Sequence, residues 1–255
     1  STMVVDNQKN QFSVAQSLVA LLHNESSSSG AQEHATQLVH KLALDPENRG
    51  ALSKWGAIPE LARQLQGGSL SSQVNAASAL SQIACHGDCR VTVTAQMIIL
   101  LGSPTPEVRQ RAFNALQAMA AEGGSDSRMT VKMAGGIERF VSLLKDGSLE
   151  AQEYALWLLW QSTDNASKRS IAMARCALPI VAILVSDNLS GVAKEHAASV
   201  LSGMTAQSVD EPTCAVNKQD IVDGGGVLPL VNLLKSGSMG AKRHASRTLA
   251  QLCRG

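Results

Sequence analysis

A chain of 255 residues that is 44% hydrophobic, with a mean hydropathy of +0.01, has ample apolar material for a core and is excluded from wholesale disorder. Only 3% of it is aromatic, and Ala, Leu, Val, Ile and Met dominate the apolar side, which favours closely packed helices over a β-sandwich. A net charge of +1 gives no reason to expect nucleic acid or an anionic membrane as partner, and no run of about 18 apolar residues is present to span a bilayer.

Five scattered cysteines, at 85, 89, 176, 214 and 253, predict reduced thiols in a cytoplasmic or nuclear compartment rather than a disulfide framework. The opening Ser1-Thr2-Met3 reads as a start boundary or the edge of a fragment, not as a signal peptide.

In chain order, the first apolar helix is LVALL (Leu18 to Leu22), and the Ser26 to Ser29 tract after it reads as a flexible loop. HATQLVHKLA follows from His34, then IPELARQL (Ile58 to Leu65) and NAASALSQIA from Asn75. MIILL (Met97 to Leu101) precedes RAFNALQAMA from Arg111, with Pro104 and Pro106 in the turn between them. IERFVSLL (Ile137 to Leu144) pairs with YALWLLWQST from Tyr154, and LPIVAILV (Leu178 to Val185) with HAASVLSGMT from His196. A longer connection, Thr205 to Gly226, leads to VLPLVNLL (Val227 to Leu234) and HASRTLAQLC from His244.

Six of these segments share an A-x-x-x-[LV] core anchored on Ala35, Ala76, Ala112, Ala155, Ala197 and Ala245, at intervals of 41, 36, 43, 42 and 48 residues. That is the period of two- or three-helix solenoid repeats. The punctuation repeats as well. Pro59, Pro179 and Pro229 fall in the first turn of a helix, where proline is harmless. Turns of the form GGS, DGS and SGS at 67, 146 and 236 predict a left-handed helix-ending glycine and a capping Ser. A second glycine mark, KWGAIP, MAGGIE and DGGGVLP, stands before the proline-bearing helix. Short runs upstream, RGALSKW, SRMTVKM, KRSIAMA and NKQDIVD, are each long enough for about two helical turns. In the third copy the short helix is replaced by CHGDCRVTVTA.

This order (short helix, A-G-[GA]-[IV]-P, helix ending in LL, G-S, then an Ala-anchored helix) resembles the armadillo repeat family of β-catenin and importin-α, from about Val14 to Cys253. The resemblance implies an all-α, right-handed solenoid of about six three-helix repeats. It would be a single array over residues 1–255, with repeats near 14–57, 58–95, 96–136, 137–176, 177–226 and 227–255. It further implies a concave groove lined by the third helices.

With each anchor alanine and its +4 and +7 neighbours facing the core, positions −2, +2 and +6 face the groove. The expected partner-binding residues on that stripe are Gln82, Asn114, Glu153, Trp157, Gln161, Glu195, Arg243, Arg247 and Gln251, with Lys242 beside them. Amides there offer a donor and an acceptor to a peptide backbone, and Trp157 is the candidate anchor. Trp160 falls nearer the neighbouring helix and reads as packing. Import adaptors of the family repeat a Trp/Asn pair at +2 and +6. Only Trp157 with Gln161 approaches it here, which demotes a nuclear-transport role.

Cys85-His86-x-x-Cys89 lacks the second ligand pair a zinc site needs and reads as a structural turn. His34, His196 and His244 recur just before the anchor alanine, a packing or hinge position rather than a catalytic constellation. No phosphate loop, nucleophile elbow or paired metal motif is present. The expectation is a non-catalytic scaffold, with no cofactor and no metal, that holds an extended or helical segment of a partner protein. An exposed last copy is expected either to be cut from a longer array or to serve as a self-association face. The contrasting class is the regulatory arm of a larger enzyme.

Overall fold

The computed structural model describes the backbone of residues 2–24, 26–162, 171–186, 188–206 and 209–254, and the side chains there outside 2–12, 122–129 and 131–133. It is all-α, with no strand among the described residues. Two compact units divide at residues 134 and 135.

In the first unit, α1 (Thr2–His23) packs on α2 (Ser29–Ala43), the first Ala-anchored helix. The serine tract between them is a hydrogen-bonded turn: Ser26 N–H donates to Asn24 Oδ1, and Ser28 caps α2 by accepting from Ala31 N–H at 3.3 Å. The short α3 (Pro46–Lys54) is capped by Asp45 and leads through Gly56 into α4 (Ala57–Gly67) and α5 (Leu70–Ala84). Arg63 of α4 donates to Leu22 O at the end of α1, and Glu60 accepts from Arg63 Nε at 2.9 Å while meeting His23 Nδ1 at 2.8 Å. Burial alone would raise the Glu60 carboxyl, but the hydrogen bonds from His23 and Arg63 outweigh it and hold the group below its ordinary range.

The third copy departs from three helices. A single α6 (Gly87–Leu100) runs from within CHGDCRVTVTA, the segment that replaces the short first helix, into the expected second helix MIILL. The reason is the hinge. Gly56, Gly135 and Gly225 take φ of 82°, 67° and 79°, a left-handed turn between short and second helix, and the third copy has no glycine there. The fifth copy bends at the same place with Arg175, at φ 54°. Next, α7 (Pro106–Met133) is one 28-residue helix that absorbs the expected separate SRMTVKM helix. No proline follows the third helix there, whereas Asp45-Pro46 and Asp210-Glu211-Pro212 each stop one and cap the next.

The second unit begins with α8 (Gly136–Asp146) and α9 (Leu149–Gln161). Of the run KRSIAMA, residues 168–170 lie outside the described residues, and 171–173 are helical. Then come α10 (Ala177–Ser186), α11 (Gly191–Met204), α12 (Glu211–Asp223), α13 (Val227–Ser236) and α14 (Met239–Leu252). The long connection thus holds a 13-residue helix, α12, longer than the two turns expected. Its buried Asn217 donates to Ala172 O at 3.3 Å.

The Gly-Ser turns work differently from expectation. Gly68, Gly147 and Gly237 are extended, with φ of −76°, −77° and −74°, not left-handed. Glycine is required there for space: a Cβ on Gly68 would meet Gln64 O at 2.6 Å, and the other two meet the equivalent carbonyls of Leu143 and Leu233. The serines do cap. Ser69, Ser148 and Ser238 accept from Ser72, Ala151 and Ala241 N–H, as does Ser190 from Ala193 N–H.

Candidate functional site: the stripe on the third helices

The six anchor alanines are all buried, at 0–2% exposure. Their +4 partners Val39, Leu80, Leu116, Leu159 and Leu201 are buried too, whereas Leu249 of α14 is half-buried. On the other side of the same helices, none of the positions −2, +2 and +6 is buried in any copy. Each third helix therefore keeps one face in the core and offers one to solvent.

In the second unit, α9, α11 and α14 pack side by side in that order. Their stripes bring together Glu153, Trp157 and Gln161, then Glu195, then Arg243, Arg247 and Gln251. Within the first unit, α5 packs against α7, so Gln82 and Asn114 stand on neighbouring helices.

Several of these side chains have structural employment. Glu153 Oε1 accepts from the backbone N–H of Ser190 at 2.6 Å, and Glu195 Oε2 accepts from Ser238 Oγ. Glu33, at −2 in α2, accepts from Ser69 Oγ at 2.7 Å. Each acid thus reaches from one third helix to the capping serine that starts the next, where an anion also suits the helix dipole. Hydrogen bonds from Ser69 and Ser71 hold the Glu33 carboxyl below its ordinary range. Val74, the −2 residue of α5, has no such task, because α7 begins at Pro106 without a serine cap.

The amides are also partly engaged. Gln82 Oε1 accepts from Arg49 Nη2 at 2.9 Å, and Gln251 Oε1 accepts from Thr205 Oγ1 at 2.7 Å. Asn114 Oδ1 accepts from Gln110 Nε2 of its own helix at 2.8 Å. Trp157 and Gln161 are half-buried on the α9 stripe. Arg243 and Arg247 are exposed, and among the described residues neither forms an ion pair.

Trp160 stacks on His196 of the next third helix, with centroids 4.6 Å apart and planes at 25°. Burial depresses the His196 imidazole below its ordinary value, against the opposing pull of Glu195 and Glu153. His244 is depressed by burial and by Arg243, with Arg247 adding and Glu195 opposing. His34 is exposed, so the position before the anchor alanine packs in α11 but not in α2. Sequence reading missed the clasps because each needs an acid and a serine about 36 to 43 residues apart to be paired. It also missed a second device. Arg49 and Arg90 fold back onto the carbonyls of Ala43 and Ala84, six residues upstream, which satisfies helix-end acceptors, and Arg109 does the same for Ser103 O in the turn after α6.

The Cys85-His86-x-x-Cys89 segment forms the junction of α5 and α6, with Cys89 Sγ 3.7 Å from His86 Nδ1. The His86 ring lies over Gly50, whose added Cβ would meet Nε2 at 3.2 Å. Among the described residues, no group of three His, Cys, Asp or Glu side chains is placed to hold a metal ion. No helix searched is long and apolar enough to cross a membrane.

Comparison with known proteins converges on one architecture. The Armadillo/beta-catenin-like repeat model matches residues 124–161 and 214–254, which hold α8–α9 and most of α12 with α13–α14. No curated protein matches the chain. Among solved structures, an engineered protein is 26% identical over 94% of this chain and 96% of its own, with a TM-score of 0.57. A computationally designed armadillo repeat protein for modular peptide recognition is 21% identical over 92% of this chain and 98% of its own, with a TM-score of 0.60. A designed armadillo repeat protein in complex with the peptide (KR)4 is 21% identical over 93% and 98%, with a TM-score of 0.58. With its Ala-anchored third helices, its left-handed hinges and these matches, the chain has an armadillo repeat fold, and two of its segments match the armadillo repeat model.

Proposed function

We propose that this chain is a non-catalytic protein-interaction scaffold that holds an extended or helical segment of a partner protein along its third helices. The observation that carries this reading is the accessible −2/+2/+6 stripe on helices whose anchor alanines on the opposite face are all buried. In the second unit the stripe joins an indole, amides and charged groups over three adjacent helices, which suits a peptide backbone and its side chains. The designed relative bound to (KR)4 shows that a fold of this kind accommodates a peptide.

Selection of displayed random dodecapeptides against the purified protein tests the reading. Enriched peptides should lose about tenfold or more in affinity on Trp157→Ala combined with Gln161→Ala, with helicity and melting nearly unchanged. Equal binding by the double variant, or a melting drop as large as that of a core Leu→Ala, would overturn it.

A further inference from the structure

Charge in this molecule is distributed unevenly. Residues 224–255 contain five of its 22 Lys and Arg and none of its 21 Asp and Glu, a local charge of +5 in a chain whose total is +1. Two of the five, Arg243 and Arg247, occupy the −2 and +2 positions of α14 and are exposed. The nearest stripe acid is Glu195 on α11, whose field reaches the same His244 as both arginines. Its carboxylate is bonded to Ser238 and makes no ion pair with either arginine. Ser199 and Gly203, the remaining stripe positions of α11, put little side chain beside the guanidinium groups. Residues four apart on a helix have Cβ atoms about 6 Å apart, so both guanidiniums can serve one carboxylate or two neighbouring ones, with bidentate geometry available to each.

We propose that the α14 end of the second unit's stripe recognises carboxylate side chains, so that the bound segment is acidic there. This deepens the peptide-binding reading above and rests on it. It also sets this chain apart from the designed relative, whose bound peptide is basic. A nucleic acid is disfavoured as occupant because the cations do not form one continuous face. Only Arg243 and Arg247 lie on the stripe, with a half-buried Lys242 beside them, whereas Lys235 sits on α13 and Arg254 beyond the end of α14.

The test uses fluorescence anisotropy with three labelled dodecapeptides, alternating Glu/Ser, Lys/Ser and Gly/Ser, and a single-stranded oligonucleotide of equal length. The expected result is that Glu/Ser binds at least tenfold more tightly than Lys/Ser, with affinity falling as salt rises. The variant Arg243→Glu/Arg247→Glu, with its melting curve checked against wild type, should lose at least tenfold for Glu/Ser and gain for Lys/Ser. Tighter binding of Lys/Ser by wild type, failure of Glu/Ser to bind at low salt, or unchanged Glu/Ser affinity in the charge-reversed variant would overturn the proposal. Tenfold tighter binding of the oligonucleotide would replace it with a nucleic-acid site. The two readings fail separately. Loss on Trp157→Ala/Gln161→Ala without loss on charge reversal removes the acidic preference and keeps the groove. The reverse pattern removes the groove and keeps an isolated carboxylate site on α14.

Discussion

Helices α9 and α14 have the same anchor pattern and opposite economies. In α9 the anchor Ala155 and its partner Leu159 are both fully buried, and the −2 residue Glu153 clasps the start of α11. In α14 the anchor Ala245 is equally buried, yet Leu249 is half-exposed and the −2 residue is Arg243, which clasps nothing. One position in the repeat thus has two uses. An acid there ties successive third helices together, and a base leaves the position to solvent and to whatever binds. Exposure alone does not mark a recognition residue.

The largest expected effect tests the core half of that contrast. Leu159→Ala should cost about 2–5 kcal/mol in urea unfolding, and Leu249→Ala markedly less, because its cavity opens to water. Equal losses would erase the difference between the helices. A smaller effect tests the clasp. Glu195→Ala should destabilise by about 1 kcal/mol through loss of a charge-assisted bond to a helix start, whereas Arg243→Ala should leave unfolding unchanged. A measurable loss at Arg243 would mean that it, too, is structural.

The smallest effect concerns pH. The folded His196 imidazole titrates below its unfolded value of 6.5, so the unfolded chain binds the proton more readily. The stability this represents is present above pH 6.5 and is lost as the pH falls through that value towards the folded one. The melting temperature should therefore drop between pH 7.5 and 5.5, and by less in His196→Gln, which removes the titrating ring from the Trp160 stack. An identical acid slope in the variant would assign the drop elsewhere.

Much of the fold was legible because its signals are local. Pro59, Pro179 and Pro229 each stand third in their helices, as the sequence pattern requires, and the Gly-Ser turns supply the serine caps. The same local logic misassigned the glycines. Both glycine marks were compatible with a left-handed turn, but only the hinge uses one, and the Gly-Ser glycine answers instead to a carbonyl four residues back. The hinge also predicts its own failure, since in the copy without that glycine a single α6 runs on into the second helix. Arg175 shows the limit of composition, because a non-glycine holds the left-handed conformation at the equivalent hinge of the fifth copy.

The candidate stripe was legible as a set of positions, through the spacing from each alanine, but not as a set of roles. Trp157 and Trp160 are three residues apart on one helix, and the second was correctly placed towards the neighbour, on which it stacks. Glu153 and Glu195 are expected from the sequence as recognition acids, and the structure adds that each accepts a hydrogen bond at the start of the next third helix. What the sequence by itself determined is the all-α repeat, its anchors and its caps, because helix periodicity, glycine, proline and serine act within a few residues of one another. Tertiary structure alone decided which accessible side chains are already spent. Their partners lie a full repeat away, and only the stacking of one third helix on the next brings them within a hydrogen bond.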